Sequence, residues 1–196
     1  MTDFDSQWPS RYLFFPDLCL TSSNGDYHLR PIHWGDREVI RNWRNDQIDV
    51  LRQSEPLSTV QQDTYFSQIV LPQLSEKQPD QILFVFLKAT QLVGYGGFVH
   101  IRWPESSAEV SFLTDTNRSD LETLTQDWTE YLLMLVILAQ RIGFHTLTTE
   151  TYSNRPQLIA ILENFGFQCL NIVPNHHLID GKPVDSMAHE YVIDVN

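Results

Sequence analysis

Basic residues are scarce in this chain. Thirteen lysines and arginines stand against 25 aspartates and glutamates, which gives a net charge of −12 at pH 7 with neutral histidines. Binding to nucleic acid or to an anionic membrane needs clustered lysine and arginine that neutralise phosphate groups. We therefore expect no nucleic-acid partner and no membrane partner. The alternative explanation of the negative charge is that it only keeps the protein soluble.

Cysteines and long apolar runs are also lacking. The two cysteines, Cys19 and Cys169, are far apart and form no CxxC motif, which favours a reducing compartment. The most apolar stretch, residues 131–140, is much shorter than the roughly 20 residues that span a bilayer. Residues 1–10 have neither the basic nor the apolar region of a signal peptide. We predict a cytoplasmic protein.

Several enzyme signatures are missing as well. The chain contains no GxSxG elbow, no GxxxxGK[ST] loop and no HExxH motif. The adjacent His176 and His177 would face opposite sides of a strand, and His189 alone does not complete a metal site. We expect no metal. The segment 95–97 lies within predicted strands, where glycine marks a bulge or a close backbone approach.

Turn and periodicity signals indicate the order of the elements. Asn24-Gly25 predicts a hairpin, a helix follows from Asp36, and Ser58 is a plausible N-cap for a helix that runs to Pro72. The later elements are two strands joined near 89–91, a strand over 108–114, a helix over about 124–141 that ends at Gly143, a strand over 144–152, a helix from Pro156, and closing strands over 169–174 and 185–195. This order predicts an α/β (α+β mixed sheet) fold in one domain.

Six segments carry motifs that bear on the family: LRPIHWGDREVIRNWRND (29–46), LVGYGGFVHI (92–101), AEVSFLTD (108–115), RIGFHTLTTETY (141–152), LIAILENFGF (158–167) and IDGKPVDSMAHEYVI (179–193). In this order they resemble the GNAT superfamily of acyl-CoA N-acetyltransferases, in particular its RimJ/RimL-like branch. The resemblance covers 27–195 and implies a single-domain GNAT fold, a mostly antiparallel sheet whose parallel fourth and fifth strands splay apart between flanking helices. Residues 1–26 are then an extension with the first hairpin strand.

The resemblance implies acetyl-CoA as co-substrate, bound where those two strands splay. Its pantetheine arm would pair with the strand at 110–114, so Phe112, Leu113 and Thr114 are assigned to cofactor binding. Its pyrophosphate would lie at the N-terminus of the next helix, where unpaired amides and the helix dipole favour an anion.

The turn into that helix departs from the family pattern of a basic residue followed by interleaved glycines. Arg118 stands for the basic residue, but the turn contains no glycine. Thr123, Thr125 and Gln126 could supply extra donors, and of these Thr125 and Gln126 are assigned to cofactor binding. Four nearby carboxylates would repel a pyrophosphate unless they point to solvent: Asp115, Asp120, Glu122 and Asp127. If the helix amides are capped by Asp120 or Thr123, a protein that has lost catalysis is favoured.

The helix that begins at Pro156 departs from the family twice. Relatives commonly place an asparagine at its start to steady the cofactor arm, whereas here Arg155 holds that place and Asn154 precedes it. Either a bulge restores Asn154 or Arg155 binds a CoA phosphate, and both are assigned to cofactor binding. Leu162 replaces the tyrosine that often protonates the leaving thiolate, so the acid would be Tyr152, Tyr131 or a water.

Glu109 matches a carboxylate that serves as general base in some relatives, and we assign Glu109 and Tyr152 as catalytic residues. The alternative for Glu109 is a rim residue paired with an arginine. Glu150 is a further base candidate, with an exposed edge position as the alternative.

The acceptor side is assigned by analogy to Trp43, Arg44, Asn45 and Arg52. Core packing is the alternative for Trp43, and a surface salt bridge is the alternative for Arg52. The implied reaction transfers an acetyl group to the primary amine of a small molecule, such as an amino sugar, or to a protein N-terminus. The alternative is a catalytically degenerate GNAT-fold module that binds an acyl-CoA or a partner. We expect a monomer or a homodimer.

Overall fold

One mixed sheet organises the chain, of which the computed structural model describes residues 4–51, 53, 55–179 and 181–194. Its strands are β1 (Leu20–Thr21), β2 (Tyr27–Pro31), β3 (Ile82–Lys88), β4 (Gln91–Arg102), β5 (Ser107–Thr114), β6 (Thr146–Tyr152), β7 (Gln168–Ile179) and β8 (Lys182–Val192). They lie in the order β1-β2-β3-β4-β5-β6-β8-β7. Neighbours are antiparallel except β5 and β6, which are parallel. The predicted α/β single domain with a mostly antiparallel mixed sheet is confirmed.

Helices flank the sheet, and apart from a short first helix that was not predicted they follow the predicted order. They are α1 (Phe4–Gln7), α2 (Arg37–Asp46), α3 (Thr59–Tyr65), α4 (Leu71–Gln73), α5 (Leu121–Ile142) and α6 (Pro156–Phe165), with a π-helical turn at Phe66–Val70 and 3-10 turns at Trp34–Asp36 and Ile48–Val50. Ser58 is the N-cap of α3, as predicted, because its side chain accepts a hydrogen bond from the amide of Gln61. Among the described residues no helix is long and apolar enough to cross a membrane.

The long helix α5 begins three residues before its predicted start at Leu124. Asp120 adopts an extended conformation and accepts a hydrogen bond from the amide of Thr123, so the helix begins at Leu121. The prediction was wrong because it began the helix at Leu124, although the helical spacing of apolar residues already includes Leu121, whose turn is largely exposed. Gly143 ends the helix as predicted, in a left-handed conformation with a φ of 96°.

Aromatic side chains join α5 to the sheet. Tyr131 on α5 stacks on Phe112 of β5 with ring centroids 3.7 Å apart, and Trp128 meets the same ring edge-on at 4.9 Å. All three side chains are buried. Contacts of this kind add to the apolar burial that fixes the helix on the sheet.

The N-terminal segment folds back onto the domain. Trp8 donates a hydrogen bond from its indole nitrogen to the carbonyl of Ile32, and the amide of Leu83 donates to the hydroxyl of Tyr12 at 2.7 Å. Both aromatic side chains belong to the core. The segment therefore covers apolar surface of the domain in this structure.

Two central glycines allow β4 to lie close to its neighbours. A Cβ atom on Gly96 would lie 1.9 Å from the carbonyl oxygen of Ser111, and one on Gly97 would lie 2.0 Å from that of Ile82. These distances are too short for any side chain. The prediction that these glycines mark a close backbone approach is confirmed.

Candidate functional site

The parallel strands β5 and β6 separate soon after they meet. They pair only at Ser107–Thr146, Ala108–Leu147 and Glu109–Thr148. One step further on, the hydroxyl of Thr149 donates to the carbonyl of Val110 at 3.2 Å. Beyond this point the backbone edge of β5 that faces β6 has no partner strand among the described residues. The predicted splayed parallel pair is present, and it opens a cleft in the sheet.

Two adjacent cavities occupy this cleft. The first, of about 540 Å³, is lined by the end of β4, the middle of β5, the end of β6 and parts of the surrounding helices. The second, of about 350 Å³, lies at the start of α5 and α6. Arg155 and Leu158 line both cavities. A long ligand could therefore extend from one cavity into the other.

Glu109 lines the larger cavity together with a residue that the sequence analysis missed, His100. The Nδ1 atom of His100 lies 2.9 Å from Oε2 of Glu109. The pair forms because β4 has an irregular register between Val99 and Arg102, which redirects the side chain of His100. No local sequence signal marks this bulge.

Tyr152 lies at the end of β6 and also lines the larger cavity. Its ring is largely buried and stacks on His177 with centroids 5.5 Å apart. Glu150 lines the same cavity, and its carboxylate accepts a short hydrogen bond from the hydroxyl of Ser186. The structure thus brings Glu109, Glu150 and Tyr152 to one cavity, whereas Tyr131 donates to the carbonyl of Ser111 from the core.

The start of α5 is occupied by a side chain of the chain itself. The carboxylate of Asp120 accepts the amide hydrogen of Thr123 at 2.9 Å, and this bond lowers the pKa of Asp120. The carboxylate thus takes one of the amides that an anion at this helix end would use. Of the two further donors that were predicted, the hydroxyl of Thr125 donates to the carbonyl of Leu121 within the helix, and Gln126 accepts from Lys88.

Arg118 does not project freely from the turn. Its guanidinium donates two hydrogen bonds to Asp127, at 2.5 and 2.8 Å, and Asp127 is fully buried. The hydroxyl of Tyr27 donates to the same carboxylate at 2.8 Å. The hydrogen bond with Asp127 raises the pKa of Arg118, so its positive charge is compensated within the protein.

Arg155 differs from Arg118 in this respect. Its side chain is partly buried, and within the described part of the chain its guanidinium makes no ion pair or hydrogen bond. Burial lowers the pKa of Arg155, which indicates an uncompensated cation. Asn154 lines only the smaller cavity, next to Arg155. Arg155 is therefore a positive charge held between the two cavities.

The other predicted cofactor residues follow β5 along the cleft. Phe112 lines the larger cavity and Thr114 the smaller one. Leu113 is buried and lines neither of these two cavities. The strand thus lines the cleft with the consecutive residues 109–112 in the larger cavity and with Thr114 in the smaller one.

The predicted acceptor-side residues are placed differently from one another. Trp43 is buried in the core, and Asn45 binds the backbone of Leu57 through both its amide atoms. Arg44 lines the larger cavity and donates to the hydroxyl of Tyr95 at 3.2 Å. Arg52 lies outside the described residues. Of this set, only Arg44 is brought to the cavity wall by the described structure.

Comparisons with known proteins agree with this geometry. Residues 29–188 match the model of the family described as acetyltransferase (GNAT) domain. No curated protein matches the chain. Among solved structures, an N-acetyltransferase from Staphylococcus aureus Mu50 is similar at 18% identity, with a TM-score of 0.67 over 86% of this chain and 99% of that chain.

Two further solved structures share the fold. The spermidine N-acetyltransferase from Vibrio cholerae in complex with CoA and spermine has 15% identity and a TM-score of 0.73, over 86% of this chain and 96% of that chain. The ribosomal L7/L12 alpha-N-protein acetyltransferase RimL in complex with coenzyme A has 10% identity and a TM-score of 0.74, over 91% of this chain and 99% of that chain. The resemblance of the sequence motifs to the GNAT superfamily is confirmed.

Proposed function

The chain belongs to the acetyltransferase (GNAT) domain family and is an acyltransferase, and we propose that it transfers an acetyl group from acetyl-CoA to the primary amine of a small molecule. The observation that carries this proposal is the cleft between β5 and β6, whose larger cavity brings together Glu109 and Tyr152. Acyl transfer requires that a thioester and an amine be held side by side. It also requires nearby groups that can accept or donate protons.

Acetyl-CoA is proposed to lie along the unpartnered edge of β5. Its pantetheine arm pairs with the backbone near Phe112 and Thr114, which line the two cavities in turn. Its pyrophosphate lies in the smaller cavity against Arg155, with Asn154 beside it. The uncompensated charge of Arg155 supports this placement, because an anion would supply the ion pair that the protein does not.

The amine is proposed to enter the larger cavity. Its walls include the carboxylates Asp80, Glu109 and Glu150 as well as the cations Arg44 and Arg155. A protonated amine is attracted by the carboxylates, while Arg44 could meet a neutral or acidic group elsewhere on the acceptor. A cavity of about 540 Å³ suits a small molecule such as a polyamine or an amino sugar, and a flexible protein N-terminus is the alternative acceptor.

In the reaction, the neutral amine attacks the carbonyl carbon of the thioester and the thiolate leaves. Glu109 lies where it can assist deprotonation of the amine, and the hydroxyl of Tyr152 can protonate the thiolate. The remainder of the rate enhancement comes from the fixed relative position of the two substrates.

The proposal is tested by calorimetric titration of CoA and acetyl-CoA, followed by an assay of thiol release with a panel of amines. We expect micromolar binding of acetyl-CoA and turnover of at least one amine that falls about tenfold in Glu109→Gln. Binding without turnover of any amine would contradict the proposed reaction. Absence of CoA binding up to millimolar concentration would favour the degenerate module, for which the cap by Asp120 is the supporting observation.

A further inference from the structure

His100 has an unusual backbone conformation for a residue within a strand. Its φ is 47°, in the left-handed region that residues with a side chain adopt rarely and at an energetic cost. The three other described non-glycine residues with positive φ are Ala89 and Ser106, in turns between strands, and Asn175, in the outer strand β7. Of these, only His100 lines the larger cavity. The strain is therefore placed at the proposed site.

The bulge brings the His100 ring against the carboxylate of Glu109. Nδ1 lies 2.9 Å from Oε2, and the side chains of His100 and Glu109 are 66% and 24% exposed respectively. An ionised carboxylate only accepts hydrogen bonds, so Nδ1 must carry the hydrogen. In a neutral ring the lone pair is then on Nε2. A base held in one tautomer by a neighbouring acid is the arrangement found in activated catalytic pairs.

We propose that His100 is the general base that deprotonates the amine, and that Glu109 is the residue that positions it. This inference rests on the proposed acetyl transfer, and it moves the proton-accepting atom from the carboxylate of Glu109 to Nε2 of His100. His100 is the catalytic residue in this scheme, while Glu109 acts through it.

Protons and bonds balance in this step. Nε2 takes one proton from the ammonium group, and the neutral nitrogen attacks the carbonyl carbon of acetyl-CoA. The new C–N bond forms while the C–S bond breaks, and the second proton on nitrogen passes through the hydroxyl of Tyr152 to the sulfur. The products are the amide and CoA thiol. His100 then releases its proton to water, which its exposed side chain allows.

Other charged groups line the same cavity. Asp80 precedes β3, Glu150 lies on β6, and Tyr152 follows it, while Arg44 and Arg155 supply the opposing charge. Because these groups are unchanged in a variant of His100, a lost pH dependence would belong to the imidazole. A variant of Glu109 should instead keep the imidazole and change the orientation of its ring.

The test compares His100→Asn with wild type, with acetyl-CoA as donor and spermidine and glucosamine as probe amines. Asparagine tolerates a positive φ and keeps a donor near the position of Nδ1, but it has no equivalent of Nε2. We expect kcat/KM to fall about 100-fold or more, the acidic limb of its pH profile to disappear, and Kd for CoA to stay within about twofold. In Glu109→Gln the fall should be smaller, about tenfold, with the acidic limb retained. His176→Asn, on exposed β7, is the matched control and should behave as wild type.

An unchanged acidic limb in His100→Asn, or a kcat/KM within about threefold of wild type, would overturn the assignment while leaving acetyl transfer intact. Failure of the wild type to acetylate either probe or any other amine would instead refute the proposed function, and the assignment with it.

A second measurement needs no acceptor. Nitrogen-15 NMR of the imidazole should show the Nδ1–H tautomer of neutral His100 in the wild type and a shift towards Nε2–H in Glu109→Gln. An Nε2–H tautomer in the wild type would overturn the inference. His100→Gly should fold at least as stably as wild type, because glycine adopts this φ freely, and should be as slow as His100→Asn. A rate equal to wild type in His100→Gly would also refute it.

Discussion

Neutralising Asp120 should tighten the binding of CoA. The carboxylate caps α5 at the amide of Thr123, 2.9 Å away, so it lies at the helix end where a pyrophosphate would seek the same donors. In the variant Asp120→Asn, the new amide side chain would cap almost as well as aspartate, so the start of α5 should not move. What the variant loses is one negative charge beside the phosphates.

The size of the effect follows from distance and screening. A phosphate bound at the same helix end would lie about 5 Å from the carboxylate, and in a water-exposed site the repulsion of one charge at that distance changes Kd about five- to tenfold. We expect this gain for Asp120→Asn at about 50 mM salt. At about 500 mM salt the Debye length is about 4 Å, so the gain should shrink to about twofold.

Calorimetric titration with CoA at both salt concentrations measures this effect. Glu76→Gln, an exposed position in the connector before β3, makes the same change in net charge and should leave Kd unchanged. Asp120→Gly also frees the amide of Thr123, so a larger gain than in Asp120→Asn would show that the occupied amide matters beyond the charge. An unchanged or weaker affinity in Asp120→Asn at low salt would refute a pyrophosphate site at the start of α5.

Three further outcomes are expected. Arg155→Gln should weaken CoA binding about tenfold without lowering Tm, because it removes a partly buried cation that has no ion-pair partner among the described residues; equal affinity would exclude this side chain from the site. Gly96→Ala should lower the free energy of unfolding in urea by about 3 kcal/mol or more, since its Cβ would lie 1.9 Å from the carbonyl of Ser111; a loss below about 1 kcal/mol would contradict the close approach. Burial raises the pKa of Tyr131 well above its usual value. Above about pH 10 this tyrosine therefore ionises in the unfolded chain while it stays neutral in the folded one, so the free energy of unfolding falls as the pH rises. In urea titrations at several pH values, Tyr131→Phe should reduce the loss of unfolding free energy by about 1.4 kcal/mol per pH unit. Equal pH dependence in the variant and the wild type would contradict the argument.

Elements with a buried face were predictable from the sequence. In β5 the alternation of Val110 and Phe112 with Glu109 matches the burial that the structure gives them, because a strand that packs on one side must alternate. β7 was predicted to end at residue 174 and continues to Ile179, so this boundary was wrong. Its side chains are exposed almost throughout, and without a buried face the sequence has no pattern that would mark its end.

The side chains of the candidate site were harder to predict. His100 reaches Glu109 only because β4 bulges, and a bulge depends on how two strands register rather than on a local motif. The partner of Arg118 is Asp127, which is also bound by Tyr27, a hundred positions earlier in the chain. A sequence can show that a cation is present, but it cannot show that a distant buried carboxylate has already compensated it.

This compensation changes how the acidic turn should be understood. The four carboxylates that were expected to oppose a pyrophosphate do not act alike, because Asp127 is neutralised by Arg118, and Asp115 accepts hydrogen bonds from Asn117 within the turn. Asp120 is the carboxylate that occupies the helix end itself. The charge balance near the smaller cavity is therefore between two carboxylates, Asp115 in its wall and Asp120 at the start of α5, and the guanidinium of Arg155. If CoA binds there, its phosphates must gain more from the uncompensated guanidinium at the start of α6 than they lose at the capped start of α5.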